Sequence, residues 1–230
     1  MKRLFLMVLV ILAVFPLSVH AESRMTGAYL PNSEAQEFYD NLSLAEAEVS
    51  EDLGQIVSFD VADEILLAFD TQKIAVCDLN GKIQKVFQFE TYGSYYVEWF
   101  GGNIRIYFVR GSTLLEITKD GDLVMCMDVN CDRKTNEHAF QELRRKTKCE
   151  TDEADYVVRK NGSPLAWLSG YRYSKLVKID ETGNETVLYD CSAQSVGRTI
   201  IWIILIVGFF LLCVLTALYQ WKNHSNNRIR

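Results

Sequence analysis

Histidine is scarce in this chain of 230 residues: there are three, and only His138 lies within residues 22–198, between the N-terminal leader and the C-terminal apolar run. One histidine provides neither the clustered ligands of a zinc site nor the usual base beside a serine or cysteine nucleophile. The sequence also lacks a G-x-S-x-G motif, a P-loop and a C-x-x-C pair. A calcium-loop pattern beginning at Asp128 fails, because Arg133 and Ala139 replace the required Gly and Glu. We therefore expect no cofactor and no metal, and we assign no catalytic residue.

The longest apolar run, residues 199–219, contains no charged side chain. As a helix it would reach roughly 31 Å, which matches the ~30 Å hydrocarbon core of a bilayer. Trp202 lies near one end of the run, and Tyr219 and Trp221 lie at the other, where interfacial aromatic side chains are favoured. The sequence therefore predicts one C-terminal transmembrane helix with these three residues as membrane-interface anchors.

Basic residues indicate how this helix is oriented. The tail, residues 220–230, carries three Lys and Arg and no acid, whereas the flank, residues 184–198, carries one Arg and two acids. Because basic segments stay on the cytoplasmic side, the tail is predicted inside and the rest of the chain outside.

The N-terminus has the pattern of a secretory signal peptide. Lys2 and Arg3 precede a short apolar stretch that ends at Pro16, and Ala21 offers a small residue before a cleavage point. We expect residues 1–21 to be removed, which leaves a single-pass protein of the cell membrane with its N-terminus outside and its C-terminus in the cytoplasm.

The predicted outer part, residues 22–198, has the size and charge of one secreted domain. It contains 19 Lys and Arg against 30 Asp and Glu, a formal charge of −11. An acidic surface does not suit nucleic acid, so no nucleic-acid partner is expected.

The cysteines divide into buried thiols and one candidate pair. Cys77 and Cys126 fall within apolar strand-like runs and are predicted to be buried. Cys131 and Cys149 flank one polar stretch, and the predicted compartment permits disulfides, so these two are the candidate disulfide.

Between residues 55 and 190, short runs of β-branched and aromatic residues alternate with Gly, Asn and Asp, which predicts strands and turns. Three blocks each contain four strand-like segments: 55–90, 95–128 and 155–190. The second segment of the third block is predicted at 165–168, after a turn at Asn161-Gly162. In each block a tight turn joins the last two segments: Asn80-Gly81, Asp120-Gly121 and Gly183-Asn184. The second interval between these turns is longer than the first by about the length of a polar insertion, residues 129–153. The prediction is an all-β domain over residues 54–190, built from three four-stranded antiparallel units.

Segments 73–89, 113–129 and 175–190 resemble the outer hairpins of β-propeller-like repeats in bacterial surface and membrane-anchored proteins. The resemblance implies propeller-like blades packed in succession. Closed propellers have at least four blades, so three imply an incomplete propeller or one that a partner completes. Either the N-terminal segment, residues 22–53, with helices predicted in 33–44 and 45–53, covers the open edges, or a second chain does.

The insertion is predicted to contain a helix over residues 137–146, with Phe140 and Leu143 on one side and basic residues in its last turn. Two interpretations stay open. The helix either docks a partner or lies as a lid with its apolar side chains on the sheet.

These observations favour a non-enzymatic, extracytoplasmic β-domain that acts as a binding or interaction module. A linker over residues 191–198 would join it to the membrane helix. Two alternatives remain: a cell-surface hydrolase acting on glycan or peptide, and an assembly subunit of a membrane complex. The expected partners are the lipid bilayer, through the C-terminal helix, and a protein at the open blade edges or at the 129–153 insertion.

Overall fold

The computed structural model describes residues 25–49, 53–130, 133–160 and 171–227. The predicted signal peptide, Cys131, the turn at Asn161-Gly162 and the predicted strand at 165–168 lie outside these ranges. Within the C-terminal helix, side chains are described at 192–194, 197, 200, 201 and 203–216.

The described elements are short strands with three helices. In chain order they are β1 (Ala28–Tyr29), α1 (Asn32–Asn41), β2 (Ala45–Glu46), β3 (Ile56–Val61), β4 (Ile65–Phe69), β5 (Lys73–Cys77), β6 (Ile83–Gln88), β7 (Tyr95–Phe100), β8 (Asn103–Phe108), β9 (Thr113–Ile117), β10 (Leu123–Asp128), α2 (Arg133–Arg145), β11 (Lys148–Glu150), β12 (Ala154–Arg159), β13 (Lys175–Asp180), β14 (Glu185–Asp190) and α3 (Ser192–Asn227).

These strands form three antiparallel sheets, which confirms the mostly-β prediction. Sheet 1 has the order β2-β6-β5-β4-β3, sheet 2 has the order β1-β10-β9-β8-β7, and sheet 3 has the order β11-β12-β13-β14. The four predicted segments of the first block are β3 to β6, and those of the second are β7 to β10. Each block folds as a meander because its turns bring consecutive strands side by side.

The third sheet differs from its prediction. β12 pairs directly with β13 in a continuous register from Ala154↔Asp180 to Arg159↔Lys175, so these two strands are neighbours in the sheet. The fourth strand is instead β11, which comes from within the predicted insertion and pairs with β12. Its central residue, Cys149, is buried in the core between sheets 1 and 3. One apolar residue in a polar stretch gave no strand signal in the sequence.

Sheet 1 lies in the middle of the three. One of its faces packs on sheet 2 and on α1, and the other packs on sheet 3. The outer face of sheet 2 is covered by α2, whose Leu143 and Phe140 contact Tyr96 and Tyr107 of the sheet. The lid interpretation of this helix is therefore confirmed for its apolar side chains. In space the sheets follow the order 2–1–3, with α2 on the free face of sheet 2.

The N-terminal segment extends two of the sheets. β1 pairs with β10 and β2 pairs with β6, so each adds a fifth strand at an outer edge. Between them α1 packs Ala35 and Phe38 on the core of sheets 1 and 2. The helix predicted in 45–53 is wrong over Ala45–Glu46. Ser43, with a φ of 50°, ends the helical region, and the chain continues as a strand along β6.

Helix α3 begins at Ser192, directly after Cys191 and β14. The helix therefore includes residues 192–198 of the predicted linker. Cys191 is buried and donates a 2.8 Å hydrogen bond from its amide to Ser174 O. A single residue separates β14 from this helix, whose described apolar side chains from Ile200 to Leu215 are largely exposed. No helix within the described residues is long and apolar enough to cross a membrane.

Candidate functional site

Asp60 lies on β3, the edge strand of sheet 1 opposite β2, and its carboxylate contacts residues of the other two sheets. Its Oδ2 accepts a 2.8 Å hydrogen bond from the backbone amide of Trp99 in sheet 2. Its Oδ1 accepts a 2.6 Å charge-assisted bond from Lys146 Nζ, and the thiol of Cys149 in sheet 3 lies 3.7 Å away. β3 and β7 are neighbours that share no ladder, and hydrogen bonds between the side chains of Asp60 and Ser58 and the backbone of β7 link them instead.

The pKa shifts of Lys146 and Cys149 at this junction favour a structural role over a catalytic one. Burial lowers the pKa of Lys146, but the attraction of Asp60 and contacts with Cys149 outweigh it and leave that pKa raised. Burial raises the pKa of Cys149 to about 12, against an opposing effect of Lys146. A thiol that stays protonated at neutral pH is a poor nucleophile. The junction is thus an ion pair with a neutral thiol beside it.

A second polar cluster lies on the outer face of sheet 2. Glu98, Arg105 and Glu116 stand side by side on β7, β8 and β9 and are 7, 9 and 6% exposed. Arg105 Nε donates a 2.8 Å bond to Glu116 Oε2, and Arg105 Nη1 lies 3.8 Å from Glu98 Oε1. Tyr107 Oη donates to Glu98, and Asn103 Nδ2 donates to Glu116, each at 2.8 Å.

The hydrogen bonds that both carboxylates accept here come from side chains of the same cluster. The guanidinium of Arg105 also stacks on the ring of Phe100, with its central carbon 3.1 Å from the ring centroid. Both carboxylates are held on strands by buried hydrogen bonds, which gives the cluster a structural explanation. This cluster was not predicted, although the sequence carries a signal for it: a single charged residue inside each of three otherwise apolar strands.

The predicted buried thiols are confirmed. Cys77 and Cys126 lie in the sheet cores, and burial raises their pKa values to about 12 and about 11. The candidate disulfide between Cys131 and Cys149 stays a prediction, because Cys131 is outside the described residues. The side chains of Trp202, Tyr219 and Trp221, the predicted membrane-interface anchors, also lie outside the described ones.

The described residues form no cluster suited to a metal ion, and the cavity between sheets 1 and 3 is too small for an ordinary ligand. Within 25–49, 53–130, 133–160 and 171–227, no three His, Cys, Asp or Glu side chains converge in a way that would hold a metal ion. A cavity of about 60 Å³ lies between sheets 1 and 3 and is lined mainly by apolar residues such as Leu53, Leu67 and Leu188. Its volume is far below the roughly 300–1,000 Å³ of an ordinary ligand pocket.

The three sheets pack face to face in the order 2, 1, 3, here called the sheet series, and their hairpin turns also contact the next sheet in this series. The turn at Gly121 of sheet 2 lies against Phe87 on the outer strand of sheet 1. The turn at Gly81 of sheet 1 lies in the same way against Leu188 on the outer strand of sheet 3. At the turn at Gly183 of sheet 3, no atom of the described residues lies within 4 Å of where a Cβ would stand. α2 covers one end of the series, whereas no described element packs on the turn at the other.

The outer face of sheet 3 carries ion pairs on either side of an apolar row. Lys148 pairs with Glu150 and Asp155, and Arg159 makes a two-pronged contact of 2.5 and 2.7 Å with Glu185. The row Val157, Val177 and Val187 runs between them; Val187 is 53% exposed, whereas Val177 is 2% exposed. These charged side chains are already paired, so a partner could cover the face without separating them.

Comparison of the chain with protein-family models, with curated proteins and with solved structures found no match.

Proposed function

We propose that this chain is a membrane-anchored, extracytoplasmic binding module that presents the uncovered end of its sheet series to a protein partner. One observation carries the proposal: the turn packing that links sheet 2 to sheet 1 and sheet 1 to sheet 3 stops at Gly183. We treat the three sheets as propeller-like blades whose series a partner completes.

The anchoring part of the proposal rests on the apolar run 199–219 and on its flanking charges. Its described side chains point away from the rest of the chain, with Phe209 and Leu215 about two-thirds exposed. Exposed apolar surface of this extent needs a lipid or protein environment. We propose the bilayer as that environment, with the β-domain on the outer side.

A binding role accounts for the polar clusters better than hydrolysis does. A glycosidase needs two carboxylates that face a substrate, one of them ready to release a proton. Glu98 and Glu116, the buried acids of sheet 2, are instead held by Arg105, Tyr107 and Asn103. An acidic domain with preorganised sheets suits a protein partner and does not suit nucleic acid.

Site-specific photo-cross-linking of the full chain in its native membrane tests the binding role. A photoreactive residue replaces Val187, on the outer face of sheet 3, or Val124, an equally apolar control on the outer strand of sheet 2. These side chains are 53% and 46% exposed, so the two photoreactive groups are similarly accessible to a partner. We expect a discrete cross-linked product at position 187 and none at position 124. Equal yields at both positions, or no product at either, would overturn the proposal.

Protease added to intact cells tests the anchoring. The β-domain should be degraded while the C-terminal tail stays protected, and detergent should expose both. Full protection of the β-domain, together with recovery of the chain in the soluble fraction, would contradict the proposed topology.

A further inference from the structure

The outer strands of the three sheets are equivalent, and aligning them on their turn glycines identifies one open position. The residues six and seven places after Gly81, Gly121 and Gly183 are, respectively, Phe87 and Gln88, Met127 and Asp128, and Tyr189 and Asp190. All three pairs end an outer strand.

In two sheets a short strand of the N-terminal segment pairs at this position. Ala45 pairs with Gln88 and Ala28 pairs with Asp128, both in antiparallel register. The residue after each short strand then donates its amide to the outer strand, Ala47 to Val86 O at 2.9 Å and Leu30 to Cys126 O at 3.0 Å. The chain thus shows twice which kind of segment this edge accepts. Among the described strands, none pairs with the corresponding edge of β14.

The ends of sheets 2 and 3 match in detail. Asp128 and Asp190 occupy the same place, and each accepts a 2.8 Å hydrogen bond on Oδ1 from the amide two residues later, that of Asn130 or Ser192. A helix follows in both cases. The edge at Asp128 is paired with Ala28, so the same local structure is compatible with a bound strand at Asp190.

We infer that the outer edge of β14 at Asp190 binds an extended segment of a partner protein by antiparallel strand addition. This inference rests on the proposed function and specifies its partner. We expect this segment to have a small residue opposite Asp190, because Ala28 lies opposite Asp128 and Ala45 lies opposite Gln88 in the two occupied edges. The approach is close: a Cβ on Gly27 would lie 2.5 Å from Asp128 O.

The charge of the domain defines the partner further. Glu185 and Asp190 on this strand pair with Arg159 and Lys175, whereas residues 22–198 as a whole carry a formal charge of −11. Basic residues beside the small one would therefore complement the overall charge of the domain. A second copy of this chain is a weaker occupant, because β1 and β2 of each copy already pair within their own sheets.

Residue-resolved amide exchange on the full chain in lipid nanodiscs tests the site, with the synthetic peptide KTGAYLK as the probe. It copies the strand that occupies sheet 2 and adds terminal lysines. In the free protein the Asp190 amide should exchange at least about tenfold faster than those of Gln88 and Asp128. The probe should slow exchange of the Asp190 amide by about threefold or more and leave the exchange rate of the Gln88 amide unchanged. The control KTGPYLK lacks the amide needed for pairing and should have no effect.

Several outcomes would overturn the inference. An Asp190 amide as slow as its two counterparts in the free protein would mean that the chain itself fills the edge. Equal effects of the two peptides would exclude strand addition, and protection that rises with protein concentration alone would assign the edge to a second copy. A cross-link at position 187 without any peptide effect would remove this site but leave the binding function. The reverse result would remove the proposed function and keep the strand site.

Discussion

Alanine substitutions at the turn glycines measure whether the sheets pack as described. Gly81 and Gly183 occupy equivalent turns and have the same φ of 83°, so Ala suffers the same backbone strain at both. Their surroundings differ. A Cβ on Gly81 would lie 2.8 Å from Leu188 Cβ and 3.2 Å from Leu188 O, whereas a Cβ on Gly183 would meet nothing within 4 Å. The difference between the two variants isolates the contact between sheets 1 and 3.

The expected magnitudes follow from these distances. The left-handed backbone costs an alanine roughly 1–2 kcal/mol at either turn. Gly81→Ala adds an overlap with backbone and Cβ atoms that cannot rotate away, for about 1–3 kcal/mol more. Gly121→Ala should fall between them, because its Cβ would lie 3.0 Å from an edge atom of the Phe87 ring, which can shift slightly. The predicted order of destabilisation is therefore 81, then 121, then 183.

Urea unfolding of the full chain in detergent micelles, followed by tryptophan fluorescence, gives the free energies. With a slope of about 2 kcal/mol per molar urea, the extra cost at position 81 should lower the unfolding midpoint by about 0.5–1.5 M relative to Gly183→Ala. Equal midpoints for these two variants, with equal slopes, would mean that the turn of sheet 1 does not rest on sheet 3. The inferred end of the series at Gly183 would then lose its basis.

Three further predictions concern buried charge, buried thiols and the helix junction. Arg105→Met leaves two buried carboxylates without their cation and should cost about 3–5 kcal/mol in the same unfolding assay; a loss below about 1 kcal/mol would contradict the pairing. Cys77 and Cys126, whose pKa values burial raises to about 12 and about 11, should resist iodoacetamide near pH 8 in the folded chain and react in urea; similar rates in both states would refute their burial. The hydrogen bond from Ser192, together with Lys175, lowers the pKa of Asp190 from 3.8 to about 2. Its stabilising effect is therefore present above about pH 4 and is lost as the pH falls toward 2. Over this interval the protection of amides at the start of α3, measured relative to their intrinsic exchange rates at each pH, should fall in the native chain but not in Asp190→Asn.

The first two sheets were predictable because their signals are local. Each strand of these blocks is a run of apolar residues bounded by a turn, and Gly81 and Gly121 mark the tight hairpins that fix their order. The third sheet was not predictable in the same way. β11 has only Cys149 as a buried residue, and its place follows from the contact with Asp60 in a different sheet. A strand selected by a distant carboxylate leaves no periodic pattern of its own.

The order of the sheets in space was also beyond sequence reasoning. A repeat predicts equal units, but it does not say which faces meet. Here Phe140 and Leu143 direct α2 onto sheet 2, and Lys146 brings the chain back to Asp60, so the third unit packs on the first. The candidate edge at Asp190 likewise emerged only from comparing strand pairings, because its sequence resembles that of the occupied edge at Asp128.

The absence of a joint between β14 and α3 connects the proposed binding edge to the proposed anchor. Asp190 accepts the amide of Ser192, Cys191 is bonded to Ser174, and the hydroxyls of Ser192 and Ser174 lie 3.2 Å apart. The edge strand and the helix start are therefore held as one unit. If α3 continues into the bilayer as proposed, the strand-binding edge lies beside the membrane surface, and a partner that reaches it is itself close to the membrane. Strand addition at Asp190 would then act on the first turn of α3 directly, without passing through the rest of the domain.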